Sequence, residues 1–267
     1  MRTYTSVWRI RFLNGLQYRT AAYAGIATQL FFGFIFIMIY VAFYNQATVE
    51  PDLSLQQVVA YIWLQQICLS LVMLWVRDPE IFELITSGNI AYELCRPSSI
   101  YPFWYSKLLA QRVANMTLRC VPVTIIVLLI PEPYRLTLPS HWITFLAFIV
   151  TLLLALLLVV AISMLIYISV FWTMSPTGSV LLFAVLGEFL AGLVIPIPLM
   201  PQWMQFITYA FPFRWTVDFP FRVFNEHVQG SELIIGICNQ LGWLFVVLAV
   251  GYWIMNKAVR AVVIQGG

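Results

Sequence analysis

Charge is what this sequence lacks. Asp, Glu, Lys and Arg make up 9% of its 267 residues, where a water-soluble domain carries about 25%. Hydrophobic residues supply 62% and the mean hydropathy is +0.89, which excludes an ordinary soluble fold. Cysteine is scarce too. Cys68, Cys95, Cys120 and Cys238 are scattered, three of them in apolar runs, without a C-x-x-C spacing. That argues against a disulfide framework or zinc site and predicts buried free thiols. His141 and His227 stand far from any H-E-x-x-H pattern and read as loop or interface residues, so no metal is expected. The G-x-x-x-x-G-K-[ST] loop, the G-x-G-x-x-G turn and the G-x-S-x-G elbow are all absent. The chain therefore cannot bind ATP by those devices and reads as non-catalytic. No repeat with a period of roughly 20–50 residues is visible, nor inverted similarity between the halves, which weighs against a carrier built from repeats. No cleavable signal peptide is apparent, because the first apolar run begins near Ala21 and is too long for one.

What is present is a series of long apolar runs. Crossing a membrane takes about 20 mostly apolar helical residues. Runs at 21–44, 56–76, 105–130, 142–171, 178–195 and 232–256 meet that length. The second is interrupted by Gln56, Gln57, Gln65 and Gln66, whose spacing puts paired glutamines on one face, toward the bundle. Basic residues set the orientation. With the N-terminus inside, the inner segments hold Arg2, Arg9, Arg11, Arg19, Arg77, Arg96, Lys107, Arg112, Lys257 and Arg260, and the outer ones only Arg135, Arg214 and Arg222. The expectation is an all-α membrane protein, a single transmembrane domain over 1–267 with six transmembrane helices and both termini cytoplasmic.

Three segments lie outside those runs. In 4–19, Trp8, Phe12 and Leu16 share a helical face while Arg9, Arg11 and Arg19 can reach headgroups. That pattern fits a helix in the interface plane better than a basic tail. In 77–104, Asp78 is placed to cap a helix beginning at Pro79, with Glu80 and Glu83 at the positive end of its dipole and Gly88 as its stop. Ile81, Leu84 and Ile85, with Phe82 beside them, form an apolar side. It reads either as a docking knob for a soluble partner, in which case Ile81→Asp or Phe82→Asp uncouples it, or as a connector packed on the membrane face. The third segment, 187–224, carries five of the 14 prolines: Pro196, Pro198, Pro201, Pro212 and Pro220. It is too apolar for an exposed loop and too broken for one helix. Such backbone survives at membrane depth only where protein or a wet cavity satisfies it. A re-entrant helical hairpin between spans five and six, facing outward, is expected.

Two charges fall deep inside spans. Arg119 lies about 14 residues into the third and Glu188 about 10 into the fifth, both near mid-membrane at ~1.5 Å per residue. Charges so placed are costly unless paired or facing water. They form either a salt bridge between helices or the lining of a polar pathway. Arg112 shares nearly the face of Arg119 and is expected to snorkel to the inner surface. Asp218 and Arg222 are spaced to pair if helical. Trp203, Phe206, Tyr209, Phe211, Phe213 and Trp215 form a lining or an interfacial belt.

The arrangement resembles the permease subunits of type-2 ABC exporters. More narrowly, GNIAYELCRP (88–97), PIPLMP (196–201) and PFRWTVDFPFR (212–222) look like a bacterial branch of paired permeases encoded beside an ATPase. The resemblance spans essentially the whole chain. It implies an exporter in the bacterial inner membrane moving an amphipathic or hydrophobic substrate. Two nucleotide-binding ATPase subunits would hold ATP and Mg, and this chain would bind no cofactor and no nucleic acid. It further implies a coupling helix over 79–87, with Asp78, Glu80, Ile81, Phe82, Glu83 and Ile85 at the contact. The outer gate falls over 196–224, with Pro196, Pro198, Pro201, Phe211, Pro212, Arg214, Asp218 and Arg222. A second permease chain, identical or different, would line a central pathway with this one through their first, second and fifth spans. The alternative from another class is an ion- or proton-coupled carrier using Glu188 and Arg119.

Overall fold

A computed structural model describes residues 2–17, 19–47, 51–95 and 99–260, and every regular element among them is a helix. Arg96 and Pro97 of the 88–97 motif, residues 48–50 of the first outer loop, and the side chains of Arg2, Leu16 and Arg19 lie outside the described residues. The helices are α1 (Arg2–Gln17), α2 (Arg19–Gln46), α3 (Leu55–Ile67), α4 (Leu69–Val72), α5 (Pro79–Thr86), α6 (Ile90–Leu94), α7 (Ile100–Leu129), α8 (Trp142–Thr173), α9 (Pro176–Leu190), α10 (Gln202–Tyr209), α11 (Asp218–Phe224) and α12 (Gly230–Arg260).

Four of them, α2 from Ala22, α7, α8 and α12, are long and apolar enough to cross a membrane. α8 is the central post. Its side chains from Leu158 to Ile162 are almost completely buried, and α5, α7, α9, α11 and α12 pack around it. α1 leans on α7, with Trp8 and Phe12 stacked at 5.1 Å.

The second and fifth expected spans differ from the others. α3 runs for 13 residues and breaks at Cys68 before the four-residue α4, and α9 has 15 residues. At ~1.5 Å per residue these are about 20 and 22 Å long, short of the ~30 Å hydrocarbon layer. Ser54 starts α3 with a capping box, accepting from Gln57 N–H while Gln57 Oε1 accepts from Ser54 N–H at 2.9 Å. From Val58 to Ile67 every residue of α3 is buried within the chain. Protein rather than lipid surrounds it, which is why its sequence tolerates amides. Gln65 and Gln66 turn inward as expected, and Gln65 Nε2 donates to Leu193 O at 3.0 Å, but Gln56 points outward.

α9 ends in a Schellman turn. Gly192 takes φ +84°, Leu193 N–H donates to Glu188 O at 3.0 Å, and Gly192 N–H to Phe189 O at 3.1 Å. The chain then passes through a 3-10 turn at Ile197–Leu199, α10, a second 3-10 turn at Pro212–Thr216, and α11. Pro196, Pro198, Pro201 and Pro212 sit at or beside helix starts, where a missing N–H costs nothing. Pro220 is a correction. It lies inside the first turn of α11, whose N–H groups have no intrahelical partner, and so does not break it. The cysteines need another. All four are free, yet only Cys68 is buried, while Cys95 and Cys238 are exposed. Cys238 lies on the outward face of α12, where a thiol is apolar enough for lipid, and Cys95 follows the short α6.

Candidate functional site

At one end of the bundle, a cluster joins α1, α5 and α7. Asp78 Oδ1 accepts the Glu80 N–H at 2.9 Å, capping α5 as its sequence requires. Lys107 Nζ, on α7, lies 3.0 Å from both Asp78 Oδ2 and Glu80 Oε2. Arg11, on α1, binds Glu80 and stands 3.8 Å from Asp78. The hydrogen bond from Arg11, with Lys107 beside it, holds the Glu80 carboxyl below its usual range against a smaller opposing effect of burial. The backbone N–H of Asp78 donates to Tyr167 Oη of α8 at 2.6 Å.

The apolar side of α5 does not face outward. Ile81, Phe82 and Ile85 are buried, and the Phe82 ring lies 4.5 Å from that of Tyr167. The expectation of an exposed apolar knob is therefore corrected. Those residues anchor α5 to α8, and its exposed surface consists of Pro79, Glu80, Glu83, Thr86 and Ser87. An amphipathic helix buries its apolar face wherever one is available, and here its own chain supplies it.

Between α4 and α5, residues 73–78 form an irregular strap held by Arg112. That guanidinium is 1% exposed. It donates through Nη1 to the carbonyls of Met73 at 2.7 Å, Leu71 at 3.0 Å and Ser70 at 3.5 Å. Nη2 donates to Val76 O at 3.2 Å and Ser163 Oγ at 2.9 Å. Arg112 does not snorkel. It serves the orphan carbonyls left where α4 stops, as a cation at a helix C-terminus does.

The strap leads to a cavity of about 490 Å³ walled by α2, α3, α4, α7 and α9. Arg119 and Glu188 both line it, but they do not form a salt bridge. Arg119 lies against α2 so closely that a Cβ on Gly25 would come within 2.6 Å of its Cζ. Glu188 Oε2 instead accepts the Trp75 indole N–H at 3.0 Å. Gln29, Gln65 and Gln66 add amides, and Phe32, Phe36 and Leu69 add apolar wall. Both charges line this one cavity. The rotation of each helix decides that they share a chamber rather than a bond.

In the proline-rich region, Arg214 is flanked by the rings of Tyr209 at 4.0 Å and Trp215 at 4.7 Å. Asp218 is fully buried, and Arg222 Nη1 stands 3.7 Å from its Oδ2, the spacing the sequence anticipated. Pro196 is buried, Pro198 and Pro212 are half-buried, and Pro201 and Phe211 are exposed. Trp203 and Phe206 of α10 also face outward. Sequence reasoning missed Gln240, which is fully buried on α12. Its Nε2 donates to Thr151 O and Trp215 O, both at 2.9 Å, tying α8, α12 and the second 3-10 turn together. A lone glutamine within an apolar spanning helix was the available signal. Trp75 and Tyr167 were missed as well, and nothing in their local sequence marks them. Among the described residues, no group of three or more His, Cys, Asp or Glu side chains is placed to hold a metal ion.

No curated protein matches the chain. The family described as ABC-2 family transporter protein matches residues 29–266, nearly the whole helical assembly, including the strap, the cavity and the proline-rich region. A family of membrane transport components that work with ATPase subunits accords with the long apolar helices, and this chain belongs to it.

Proposed function

We propose that the chain is the transmembrane half of an ATP-driven exporter that moves an amphipathic or hydrophobic substrate from the cytoplasm or inner leaflet outward. In this reading α3–α4 and α9 complete six spans, with the protein around them making up for their length. Both termini face the cytoplasm, and the membrane is the bacterial inner membrane. Two ATPase subunits, which carry the ATP and Mg, press on the exposed face of α5. A second permease chain completes the pathway, and residues 196–224 form a re-entrant outer gate.

One observation carries the reading. Residues 73–78 connect α5 directly to the cavity: Met73 lines it, Trp75 holds Glu188 in its wall, Arg112 gathers the carbonyls between, and Asp78 caps α5. A push on α5 thus has a short, hydrogen-bonded route to the chamber. Only contacts that differ between two states can shift an equilibrium, and α5 offers Glu83 as an exposed handle for such a contact. The test is the chain co-purified with its ATPase in proteoliposomes. Glu83→Lys is expected to abolish ATP-dependent transport while leaving the fold and the ATPase's basal turnover intact. Unchanged transport by that variant overturns the α5 contact. Transport that persists without nucleotide and follows a proton gradient overturns the ATP-driven reading and favours a carrier using Glu188 and Arg119.

A further inference from the structure

The cavity contains polar groups that a passive apolar passage does not need. Arg119 makes no ion pair or hydrogen bond with any described residue. Glu188 accepts the Trp75 indole on Oε2, the Leu74 backbone N–H lies beside its carboxylate, and no cation pairs with it among the described residues. Gln29, 2% exposed, has no hydrogen-bond partner on either amide atom. An unpaired charge and an unpaired amide at this depth are costly, and such groups mark ligand or ion pathways. The volume of about 490 Å³ corresponds to a sphere roughly 10 Å across and lies within the ~300–1,000 Å³ typical of ligand sites.

The two charges constrain what fits. A purely anionic group on Arg119 stays within the field of the Glu188 carboxylate, and a purely cationic group on Glu188 within that of Arg119. A group carrying both charges satisfies both, with the guanidinium suited to a phosphate or carboxylate. Apart from Thr28 and the amides of Gln29, Gln65 and Gln66, the rest of the wall is apolar, and it opens at Phe32 and Val194, which are 46% and 54% exposed. A hydrocarbon tail has an exit there.

We propose that this cavity takes the head group of a zwitterionic amphiphile, with its phosphate or carboxylate on Arg119, its ammonium on Glu188, and its tail leaving past Phe32 and Val194. The proposal rests on the cavity being part of the transport path, but it is tested by binding alone. The full chain, purified in a nonionic detergent with whatever subunits accompany it, is titrated with short-chain phosphatidylethanolamine, phosphatidylglycerol of the same chain length, and phosphoethanolamine without tails. Binding is read by native mass spectrometry. The phosphatidylethanolamine is expected to bind about tenfold or more tighter than either other probe. Arg119→Gln is expected to weaken both lipids by about tenfold. Glu188→Gln is expected to weaken phosphatidylethanolamine but not phosphatidylglycerol. Arg119→Lys and Glu188→Asp, eluting as the parent does, serve as folding controls and retain the parent's order of probes. Equal affinity for the two lipids, equal loss of both in Glu188→Gln, or no binding overturns the head-group assignment. Tight binding by phosphoethanolamine alone overturns the part played by the tail. If binding follows the expected pattern but neither variant alters transport, the head-group site stands and the pathway reading falls.

Discussion

Replacing Arg112 by Met removes five donated hydrogen bonds from the junction of α4, α8 and the strap. Three of them, to Met73 O at 2.7 Å, Ser163 Oγ at 2.9 Å and Leu71 O at 3.0 Å, have good lengths. Hydrogen bonds to a charged group contribute about 1.5–3 kcal/mol each, and burying the guanidinium costs several kcal/mol in return. Methionine fills much of the same volume, so little of the loss comes from a void. What remains is a set of buried carbonyls where α4 ends, each costing about 1–3 kcal/mol when left without a donor. The net loss is about 3–5 kcal/mol, the range seen when one partner of a buried charged network is removed. Thermal unfolding of the purified chain in detergent, followed by the monodisperse fraction on size exclusion, is expected to fall by on the order of 10 °C. Arg112→Lys, which keeps the charge but not the planar fork, is expected to lie between. If Arg112→Met unfolds within about 1 °C of the parent, the carbonyls are satisfied by other means and the strap is not held by this residue.

Ile81→Asp puts a carboxylate at a fully buried position on α5 and is expected to destabilise the chain by about 3 kcal/mol or more. Aggregation of the variant when expressed alone is the check, and a stable, merely uncoupled protein would refute the packing of α5 on α8. A Cβ on Gly236 would sit 2.1 Å from the Phe219 ring, itself 2% exposed. Gly236→Ala is therefore expected to cost about 1–3 kcal/mol in thermal unfolding, with Phe219→Leu restoring part of it. Because the Glu80 pKa is lowered in the folded chain, chiefly by Arg11, its contribution is fully present above the ordinary value of 4.5 and fades as pH falls through the lowered one. The protection of α1 amides, taken relative to their intrinsic exchange rate at each pH, is accordingly expected to stay flat from neutral pH to about 5 and to fall below about 4.5, with Glu80→Gln removing that dependence.

The long helices were legible because lipid imposes a length. α2, α7, α8 and α12 fall within a few residues of the apolar runs that foretold them. α3–α4 and α9 obey a different rule, since protein surrounds much of α3 and the chain can stop at Val72 once Arg112 serves the carbonyls freed there. Asp78 and Pro79 gave the start of α5 through local chemistry that needs no tertiary knowledge. The direction of its apolar face did need that knowledge, because an amphipathic helix looks the same in sequence whether it packs on its own α8 or on a partner. Arg119 and Glu188 show the same division. Helical rise fixes depth, but rotation depends on packing, and Gly25 is what lets Arg119 lie flat against α2.

The strap gains meaning from where its hydrogen bonds are concentrated. A hinge needs a few backbone positions free to change φ and ψ, yet the carbonyls of Met73 and Val76 are held by one guanidinium and the N–H of Asp78 by Tyr167. Three helices therefore converge on six residues: α7 through Arg112 and Lys107, α8 through Tyr167, and α9 through Glu188 on Trp75. Such a segment transmits displacement as a rigid piece instead of absorbing it. The chain after Gly192 is built differently, as a succession of short helices and 3-10 turns in which Arg214 is held by ring faces. On the proposed reading, a movement begun at α5 is handed through the strap to Glu188 and the cavity wall, because the hydrogen bonds that hold residues 73–78 leave them little freedom to absorb it.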